Sequence, residues 1–458
     1  MNNPILICDS YKFSHSVQYP PGTQNTFFYF EARDGAKFPY TVFFGLQALI
    51  KKYLLTPITK EHVEQAKTFI DAHMGPGVFN YDGWMYIVNH HKGLLPLKIK
   101  ALKEGTVIAN SNALFTVEST DPKCFWLPSF VETLLVRTWY PTTVATVSHF
   151  VKDIILDGLK KTGTPSLIDF KLHDFGFRGV SSEESAALGG AAHLVNFKGT
   201  DTIAGILCAQ EYYGADMCGF SIPASEHSTI TSWGRQNELL AMQNMLTQYP
   251  HGLVACVSDS YDINHACRNI WGTALREKIL ARDGTLVVRP DSGEIVPTTL
   301  SVLQHLYETI GGYVNNKGFK VLNDKVRVIQ GDGCSPETIR DVINNMVVAG
   351  WSVDNIAFGM GGGLLQKVNR DTQRFAYKCS SAIINGEEIE VFKSPIGDTG
   401  KKSKRGRLAL LKTGIGPYGY LTTSEEVTEG QNALDLVYLD GKLMRDETFN
   451  SIRERAIE

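Results

Sequence analysis

Between residues 166 and 363 the sequence repeats one pattern, a short apolar run that ends at once in a polar or glycine-rich cluster. Amphipathic helical stretches separate most of these runs. Alternation of this kind is typical of buried parallel strands joined by crossover helices. The pattern predicts an α/β core with strands at Ser166–Phe170, Gly219–Ile222, Leu253–Val257, Thr285–Val288, Val326–Ile329 and Asn355–Phe358.

The polar clusters stand directly after the predicted strands, and this position constrains the architecture. In a closed βα barrel all such loops meet at one face, where active sites are built. An open doubly wound sheet is the alternative arrangement for the same alternation of strands and helices. We predict an irregular TIM-like βα barrel and keep the open sheet as the structural alternative.

The segments before and after this core carry β signals. Thr26–Arg33 is predicted to be a strand, and Glu61–Met74 a helix capped by Thr59. The pairs Asn385-Gly386 and Asp440-Gly441 each lie between apolar alternating runs, which indicates two hairpins. Further strands are predicted at Leu95–Leu102 and Thr106–Glu118. We predict two domains. Residues 126–375 form the barrel domain, and residues 1–125 and 376–458 pack together as a β-rich flanking domain.

Length and charge exclude several classes of protein. A chain of 458 residues exceeds one ordinary core and suggests two domains. The formal net charge of −3 gives no basic field for nucleic acid or an anionic membrane. No signal-peptide pattern follows Met1, and no apolar stretch reaches membrane-spanning length. We therefore expect a cytoplasmic protein without nucleic-acid or membrane partners.

A glycine-rich loop, Gly359–Gly363, follows the last predicted strand. Such a loop is either a tight turn or a cradle in which backbone N–H groups approach a phosphate. A dinucleotide-binding fingerprint requires glycine at the position of Leu364, so that motif is excluded. Basic residues follow, which indicate either a solvated face or a site for a polyanion such as pyrophosphate. They are Arg370, Lys378, Lys393, Lys401, Lys402, Lys404, Arg405 and Arg407.

Acidic residues and one histidine lie near the predicted strand ends. The aspartates either cap turns or, gathered at one barrel face, hold metal and sugar hydroxyls in a Mg²⁺-dependent phosphate enzyme. His227 lies in a polar run after a strand, where it is either structural or catalytic. The aspartates in question are Asp174, Asp201, Asp259, Asp291 and Asp332.

Taken together, these segments resemble the nicotinamide phosphoribosyltransferase family, within the type II (nicotinate phosphoribosyltransferase-like) phosphoribosyltransferases. The matching motifs occur in family order and cover nearly the whole chain. They are Asp9–Lys12 with His15, His173–Ser182, His193–Thr202, Pro223–Thr231, Ser258–Asp262, Arg289–Gly293, Arg327–Gly333 and Asn355–Lys367.

The resemblance implies an activity and its partners. Nicotinamide and phosphoribosyl pyrophosphate would give nicotinamide mononucleotide and pyrophosphate, a reaction of NAD salvage. The resemblance also implies the type II phosphoribosyltransferase fold, Mg²⁺, and a homodimer with shared active sites. ATP hydrolysis through a phosphohistidine would stimulate the reaction.

The resemblance further implies roles for individual residues. Phe175 and the partner subunit's Tyr11 would enclose the nicotinamide ring, Asp201 would accept a hydrogen bond from the carboxamide NH₂, and Arg289 would lie nearby. His227 would be phosphorylated, oriented by Asp259 or Glu226. The ribose and its phosphate would be held by Arg178, Gly331, Asp332, Gly361 and Gly362. Pyrophosphate or ATP phosphates would be held by Arg33, Arg370, Lys378 and Lys393, partly across the dimer, and the metal by Asp291.

The sequence departs from the family pattern at one position, and two other functions are compatible with the same fold. Animal members of the family have serine at the position of Ala255, near the amide tunnel, so inhibitor-like tunnel contacts through that hydroxyl are not expected here, whereas the chemistry is expected to be the same. A nicotinate phosphoribosyltransferase is the nearer rival, but Asp201 would repel a carboxylate substrate. A non-catalytic binding or signalling protein on the same fold is the second rival.

Overall fold

The computed structural model describes residues 3–394, 403–414, 418–425 and 427–457. Their contacts divide the chain into two compact units. Unit 1 comprises 1–146, 208–215 and 369–458, and unit 2 comprises 147–207 and 216–368. The division drawn from the sequence was 1–125, 126–375 and 376–458. The residues 126–146 and 208–215 join the terminal segments through hydrogen bonds such as those from Val42 N–H to Thr146 and from Gln47 to Tyr212.

Unit 1 is built on a seven-stranded sheet. Its central strand β1 (Thr23–Glu31) pairs antiparallel with β14 (Ala376–Ile384) on one side and β5 (Ala113–Ser119) on the other. The sheet continues through β3 (Leu97–Ala101), β15 (Glu387–Glu390), β18 (Asp435–Leu439) and β19 (Lys442–Leu443), in the order β15-β14-β1-β5-β3-β18-β19. Two-stranded ribbons join β2 (Tyr40–Val42) to β4 (Val107–Ala109), and β16 (Ala409–Lys412) to β17 (Tyr420–Thr423). N-terminal and C-terminal strands thus share one sheet.

Aromatic side chains fill the core of unit 1. The Phe30 ring stacks on Phe115 with centroids 4.7 Å apart and on Phe375 at 5.0 Å. The helices of unit 1 are α1 (Leu46–Leu49), α2 (Lys60–Met74), α3 (Tyr81–His90), α4 (Leu127–Phe130), α5 (Glu132–Leu135) and α16 (Phe449–Ile457). The helices α6 (Trp139–Thr162) and α8 (Ile203–Tyr213) each have residues in both units.

Several predictions for unit 1 are confirmed. Thr59 caps α2 by accepting a hydrogen bond from the His62 N–H at 3.3 Å. Asn385-Gly386 and Asp440-Gly441 connect β14 to β15 and β18 to β19, with all four φ angles positive, as hairpin turns of the primed types require. The predicted continuous strand Thr106–Glu118 is wrong, because Ser111 has a φ of 65° and the chain divides there into β4 and β5.

Unit 2 contains a six-stranded parallel sheet. Its strands are β6 (Leu172–Asp174), β7 (Gly199–Thr200), β8 (His251–Val257), β9 (Asp283–Arg289), β12 (Val326–Gln330) and β13 (Ile356–Met360), in the order β7-β6-β13-β12-β9-β8. Parallel bridges join Phe220 to Gly199 of β7, and Ala224 to Ala255 of β8. The segment 220–224 therefore pairs with both edge strands of the curled sheet.

The helices of unit 2 follow its strands. They are α7 (Glu183–Leu194), α9 (His227–Thr231), α10 (Glu238–Gln248), α11 (Ile263–His265), α12 (Arg276–Ala281), α13 (Ile295–Thr309), α14 (Pro336–Val348) and α15 (Gly362–Leu365). A small antiparallel hairpin pairs β10 (Gly312–Val314) with β11 (Lys320–Leu322). Within the described ranges, no helix has the length and apolar character needed to cross a membrane.

Two strand predictions in unit 2 need correction. Ser166–Phe170 is not a strand but part of a 3-10 helix beginning at Pro165, and the strand is Leu172–Asp174. Gly219–Ile222 makes one isolated bridge, at Phe220, rather than a regular strand. Pro165 favours the first turn of a helix because its φ is fixed and it lacks an N–H, which explains the first error.

Candidate active site

The carboxyl ends of the parallel strands carry the polar residues of unit 2. Phe175 follows β6, Asp259 follows β8, Asp291 follows β9, and Gly331 follows β12. Because parallel strands end at the same edge of their sheet, these residues gather at one edge. The prediction that chemical residues follow the strands therefore agrees with the position of the site.

His227 begins the short helix α9 and contacts two carboxylates. Its Nε2 atom lies 3.0 Å from Oδ1 of Asp259, and its Nδ1 atom lies 3.8 Å from Oδ2 of Asp291. The His227 side chain is 46% exposed, whereas that of Asp259 is only 4% exposed. The ring is thus held from the protein side by Asp259 and remains accessible to a reactant.

Asp259 is fixed by more than the histidine. Its Oδ2 atom accepts a hydrogen bond from the Asp291 N–H at 3.0 Å and another from the Ser292 hydroxyl. Burial raises the pKa of the Asp259 carboxyl, but the hydrogen bonds from Ser292, His227 and the Asp291 N–H outweigh this effect and lower it. An ionised, immobile carboxylate is therefore available to orient the His227 ring.

Glu226, the other residue predicted to orient His227, has different partners. Its backbone N–H donates to Oγ1 of Thr229 at 3.3 Å, and its carboxylate accepts from the hydroxyl of Ser228. These contacts belong to the start of helix α9. Of the two predicted orienting residues, Asp259 is the one that contacts the imidazole.

The aromatic ring of Phe175 lies against glycine backbone. A Cβ atom on Gly359 would stand 2.0 Å from Cε2 of Phe175, so only glycine allows this approach. A Cβ on Gly331 would lie about 3.5 Å from Phe175, Asp291 and Arg289, which places this glycine among the site residues. Glycines therefore let the ring pack directly on strand ends.

A cavity of about 590 Å³ opens in unit 2, with a mostly apolar lining. Ala255, Val287 and Ile329 line it and pack against one another with Phe175. Six charged residues also line it, namely Asp169, Lys171, Asp201, Arg289, Arg327 and Asp354. The cavity thus combines apolar and aromatic walls with polar and charged groups, which suits a small aromatic ligand that carries a polar substituent.

Asp201 is about half exposed, and three side chains determine its charge. Its Oδ1 atom lies 3.3 Å from Nε2 of His173 and accepts a hydrogen bond from the Ser221 hydroxyl. Burial raises the pKa of the Asp201 carboxyl, but these two hydrogen bonds and the charge of Arg289 lower it more. Asp201 therefore has a pKa below its ordinary value and is ionised at neutral pH.

Arg289 supplies an unused donor. Its terminal nitrogen lies 3.7 Å from Oδ2 of Asp291. Within the described residues, its Nε atom is buried without a hydrogen-bond partner. A buried unpaired N–H costs free energy, so an acceptor atom of a ligand at this position would be favoured.

The remaining predicted ribose-phosphate residues lie on loops of unit 2. Arg178 is exposed in a 3-10 turn, Phe177–Gly179, and Asp332 is exposed after β12. Gly361 precedes α15, and Gly362 is its first residue. A Cβ on Gly179 would lie 3.7 Å from the Gly362 Cα, so the Arg178 turn and the glycine loop are adjacent.

Four predicted phosphate-binding cations lie in unit 1. Burial lowers the pKa of Lys378, and the charges of Arg33, Arg370 and Lys393 lower it further against the opposing charge of Glu132. Arg33, Arg370 and Lys393 are thus within electrostatic range of Lys378, and these four cations are called the cation cluster below. Such a cluster would be relieved by an anion.

The described members of the later basic run each pair with a carboxylate. Lys404 pairs with Glu31, Arg405 with Glu390, and Arg407 with Glu118. Lys401 and Lys402 lie outside the described residues. The described members of the run are therefore neutralised within unit 1. Tyr11, also in unit 1, is 56% exposed, and its ring meets the His15 ring edge-on at 4.9 Å.

Three functional contacts were not assigned from the sequence. His173 and Ser221 bind Asp201, and Ser292 binds Asp259. His173 and Ser292 stand within recognised motifs, and Ser221 lies in the predicted strand Gly219–Ile222. The position after or within a strand was the available signal, but the choice of partner depends on the curl of the sheet.

Asp291 is the residue that suits a magnesium ion. Both oxygens of Asp259 are occupied, whereas the Asp291 carboxylate is partly exposed and, among the described residues, its charged partners His227 and Arg289 lie at 3.8 and 3.7 Å. Mg²⁺ prefers oxygen ligands and commonly takes one or two carboxylates plus phosphate and water. Across the described ranges, the one group of three metal-type ligands is His91, Asp121 and Cys124, which belongs to unit 1.

Two family models match this chain. The model of the nicotinate phosphoribosyltransferase (NAPRTase) family matches residues 170–442, and that of the nicotinamide phosphoribosyltransferase N-terminal domain matches residues 3–99. A nicotinamide phosphoribosyltransferase of Xanthomonas campestris pv. campestris (strain 8004) is 51% identical, over 100% of this chain and 98% of the relative. One of Acinetobacter baylyi is 31% identical, over 99% and 97%.

Solved structures agree in fold. A nicotinate-nucleotide pyrophosphorylase from Pyrococcus furiosus superposes with a TM-score of 0.60 at 15% identity, covering 100% of this chain and 95% of the other. The human nicotinic acid phosphoribosyltransferase also superposes with a TM-score of 0.60, at 14% identity and with 99% and 93% coverage. These likenesses establish the α/β fold that the strand pattern predicted.

Proposed function

This chain belongs to the nicotinate phosphoribosyltransferase family of enzymes, and on that basis we propose that it transfers phosphoribosyl from phosphoribosyl pyrophosphate to nicotinamide. The products are nicotinamide mononucleotide and pyrophosphate, in a reaction of NAD salvage. The observation that carries the choice of nicotinamide is the position of Asp201 in the lining of the apolar cavity, where His173 and Ser221 bind its Oδ1 atom and hold its pKa below the ordinary value.

The cavity chemistry supports an amide substrate. An ionised carboxylate accepts hydrogen bonds only, so Asp201 pairs with a carboxamide NH₂ and repels a carboxylate. The unpaired Nε donor of Arg289 complements the carbonyl oxygen of the same carboxamide. The Phe175 ring supplies a flat apolar face for the pyridine ring.

The transfer itself needs positioning and charge stabilisation. Displacement at the anomeric carbon develops positive charge on the ribose while pyrophosphate leaves. Arg178, Gly331, Asp332, Gly361 and Gly362 would hold the ribose and its phosphate. Asp291 would hold Mg²⁺, which neutralises phosphate charge when bound. The cations Arg33, Arg370, Lys378 and Lys393 would hold pyrophosphate or ATP phosphates.

We further propose that ATP phosphorylates His227. An exposed ring turned by a buried carboxylate suits attack on a phosphoryl group, since Asp259 holds Nε2 and leaves Nδ1 available. The phosphohistidine would add negative charge beside Asp291, the residue that would hold Mg²⁺, and Mg²⁺ would supply charge neutralisation there. ATP hydrolysis would in this way stimulate the transfer.

Two structural proposals accompany this function. The enzyme acts as a homodimer in which the partner subunit's Tyr11 covers the ring bound on Phe175. The parallel sheet is an irregular TIM-like barrel, an inference supported by the bridges from Phe220 and Ala224 to both edge strands. The exposure of Tyr11 is consistent with a role toward a second chain.

A substrate panel tests the proposal. Purified enzyme with Mg²⁺ and phosphoribosyl pyrophosphate is supplied with nicotinamide or nicotinate, with and without ATP, and nucleotide products are separated and quantified. Nicotinamide mononucleotide is the expected main product. Preferential formation of nicotinate mononucleotide favours the acid-specific rival, and absence of both nucleotides from folded, donor-binding protein favours a non-catalytic role.

A further inference from the structure

We infer that His173 and Ser221 are positioning residues that set the selectivity for amide over acid by holding the Asp201 carboxylate ionised and in one orientation. This inference rests on the proposed function, because it concerns how the nicotinamide site discriminates between the two substrates. It adds two residues whose roles lie behind the carboxylate rather than on the reacting atoms. Both also line the cavity.

The two contacts converge on a single oxygen. Nε2 of His173 lies 3.3 Å from Oδ1 of Asp201, and the Ser221 hydroxyl donates to that same oxygen. Among the residues that the structure describes, both side-chain hydrogen bonds of Asp201 therefore use Oδ1. The second oxygen, Oδ2, is left for the ligand, so the arrangement separates the supporting role from the binding role.

The backbone of Asp201 is also fixed. Its N–H donates to the carbonyl oxygen of Asp174 at 2.9 Å, and the following Thr202 N–H donates to Oγ1 of Thr200 at 2.9 Å. With the main chain anchored to β6 and β7, rotation of the side chain is the remaining freedom. His173 and Ser221 remove that freedom.

The position of His173 depends on a glycine. A Cβ atom on Gly199 would lie 2.5 Å from Nδ1 of His173, so the imidazole occupies the space that a side chain on β7 would need. The ring also packs against Phe175, with centroids 5.2 Å apart. The imidazole that supports Asp201 thus also contacts the aromatic face of the substrate site.

The chemistry follows from the ionisation of Asp201. Hydrogen bonds to a carboxylate favour its charged form, and the bonds from His173 and Ser221 oppose the effect of burial on its pKa. Without them, Asp201 binds a proton more readily and rotates. A protonated Asp201 can donate a hydrogen bond to the carboxylate of nicotinate. Removal of the bonds from His173 and Ser221 therefore weakens the discrimination against nicotinate.

Three variants and one control test the inference. Ser221→Ala removes one hydrogen bond, His173→Phe removes the other while keeping a ring, and His173→Gln retains a donor. Ser166→Ala is the control. It removes a serine hydroxyl from the lining of the same cavity, but among the described contacts this hydroxyl does not bind Asp201. The measured quantity is kcat/KM for nicotinamide divided by kcat/KM for nicotinate, or the ratio of dissociation constants where turnover is too slow.

We expect Ser221→Ala and His173→Phe each to lower this ratio at least about 10-fold, because hydrogen bonds to charged groups are strong. His173→Gln and Ser166→Ala should stay within about threefold of the wild type. KM for phosphoribosyl pyrophosphate should not change. If the two residues have only a structural role, their loss lowers kcat/KM equally for both substrates and leaves the ratio unchanged. This outcome would overturn the inference. A wild type that prefers nicotinate instead overturns the proposed function, independently of the variants.

Discussion

The Oδ1 atom of Asp259 lies 3.0 Å from Nε2 of His227, while its Oδ2 atom is bound by the Asp291 N–H at 3.0 Å. One buried carboxylate therefore ties the histidine after the segment 220–224 to the loop after β9. This relationship fixes which nitrogen of His227 faces outward. The outward-facing nitrogen is Nδ1, which lies 3.8 Å from Oδ2 of Asp291.

The first prediction concerns His227. His227→Ala should abolish ATP hydrolysis and ATP stimulation while leaving a weak, ATP-independent transfer, because the residues proposed to hold nicotinamide and the sugar donor do not include His227. Labelled ATP should leave acid-labile, base-stable phosphate on the wild type alone. Asp259→Asn should reduce labelling by 10-fold or more, since the ring loses its ionised partner.

His251→Ala is the matched control, because that histidine is exposed and pairs only with Asp283 at 3.2 Å in the described contacts. It should keep full ATP stimulation. If folded His227→Ala also keeps full stimulation, the ring serves only to hold its loop, and the phosphohistidine proposal is wrong.

The second prediction concerns assembly. Tyr11→Ala and Phe175→Ala chains should each be nearly inactive, and mixing them should restore part of the activity. A mixed dimer has one site in which both aromatic rings are intact. The measurement is turnover after co-refolding or subunit exchange, with differently tagged chains used to show that mixed dimers form. Mixed dimers without recovered activity contradict a shared site.

Part of the fold could be predicted because it depends on local chemistry. Asn385-Gly386 and Asp440-Gly441 determine their hairpins through positive φ angles, and Thr59 determines a helix start. The carboxyl ends of the strands at Asp259 and Asp291 were likewise predictable from runs of buried residues. Ser166–Phe170 was mistaken for a strand because apolar composition alone does not distinguish a strand from a short helix.

The partners within the site were not predictable to the same extent. Asp259 and Glu226 are equally suitable in sequence for orienting His227, and only the fold shows that Asp259 makes the contact. Ser221 lies 20 residues from Asp201 in the sequence. Its hydroxyl reaches that carboxylate because the neighbouring Phe220 pairs with Gly199 of β7. Such contacts depend on the curl of a sheet, which no local pattern encodes.

The third prediction concerns the cation cluster of unit 1. Lys378→Ala should raise KM for phosphoribosyl pyrophosphate or for ATP about 10-fold and leave KM for nicotinamide unchanged, because only the phosphates carry charge. Higher salt should shrink the difference from the wild type. Arg405→Ala is the control, as that cation pairs with Glu390 and is largely exposed. An unchanged KM for both phosphate ligands would show that the cluster has another role.

The last prediction concerns stability and begins from a buried carboxyl in unit 1. Glu104 is 2% exposed. It accepts hydrogen bonds from the N–H groups of Gly45 and Gln47 at 2.8 and 2.7 Å and from the Tyr213 hydroxyl at 2.9 Å. Burial, and then the charge of Glu447, raise the pKa of Glu104 to about 7, against the opposing effect of these three bonds. Between pH 4.5 and about pH 7, Glu104 therefore keeps a proton in the folded protein that it releases in the unfolded chain.

The sign of the pH dependence follows from linkage. The contribution of Glu104 to stability is fully present below its ordinary pKa of 4.5 and is lost as pH rises through about 7. The full loss amounts to about 3 kcal/mol. Glu104→Gln removes the titrating group, so melting temperature should fall less between pH 5 and pH 8 than in the wild type, whatever the variant's absolute stability. Glu277→Gln, at a largely exposed position, should reproduce the wild-type slope. Equal slopes for the wild type and Glu104→Gln would show that Glu104 stays ionised in the fold.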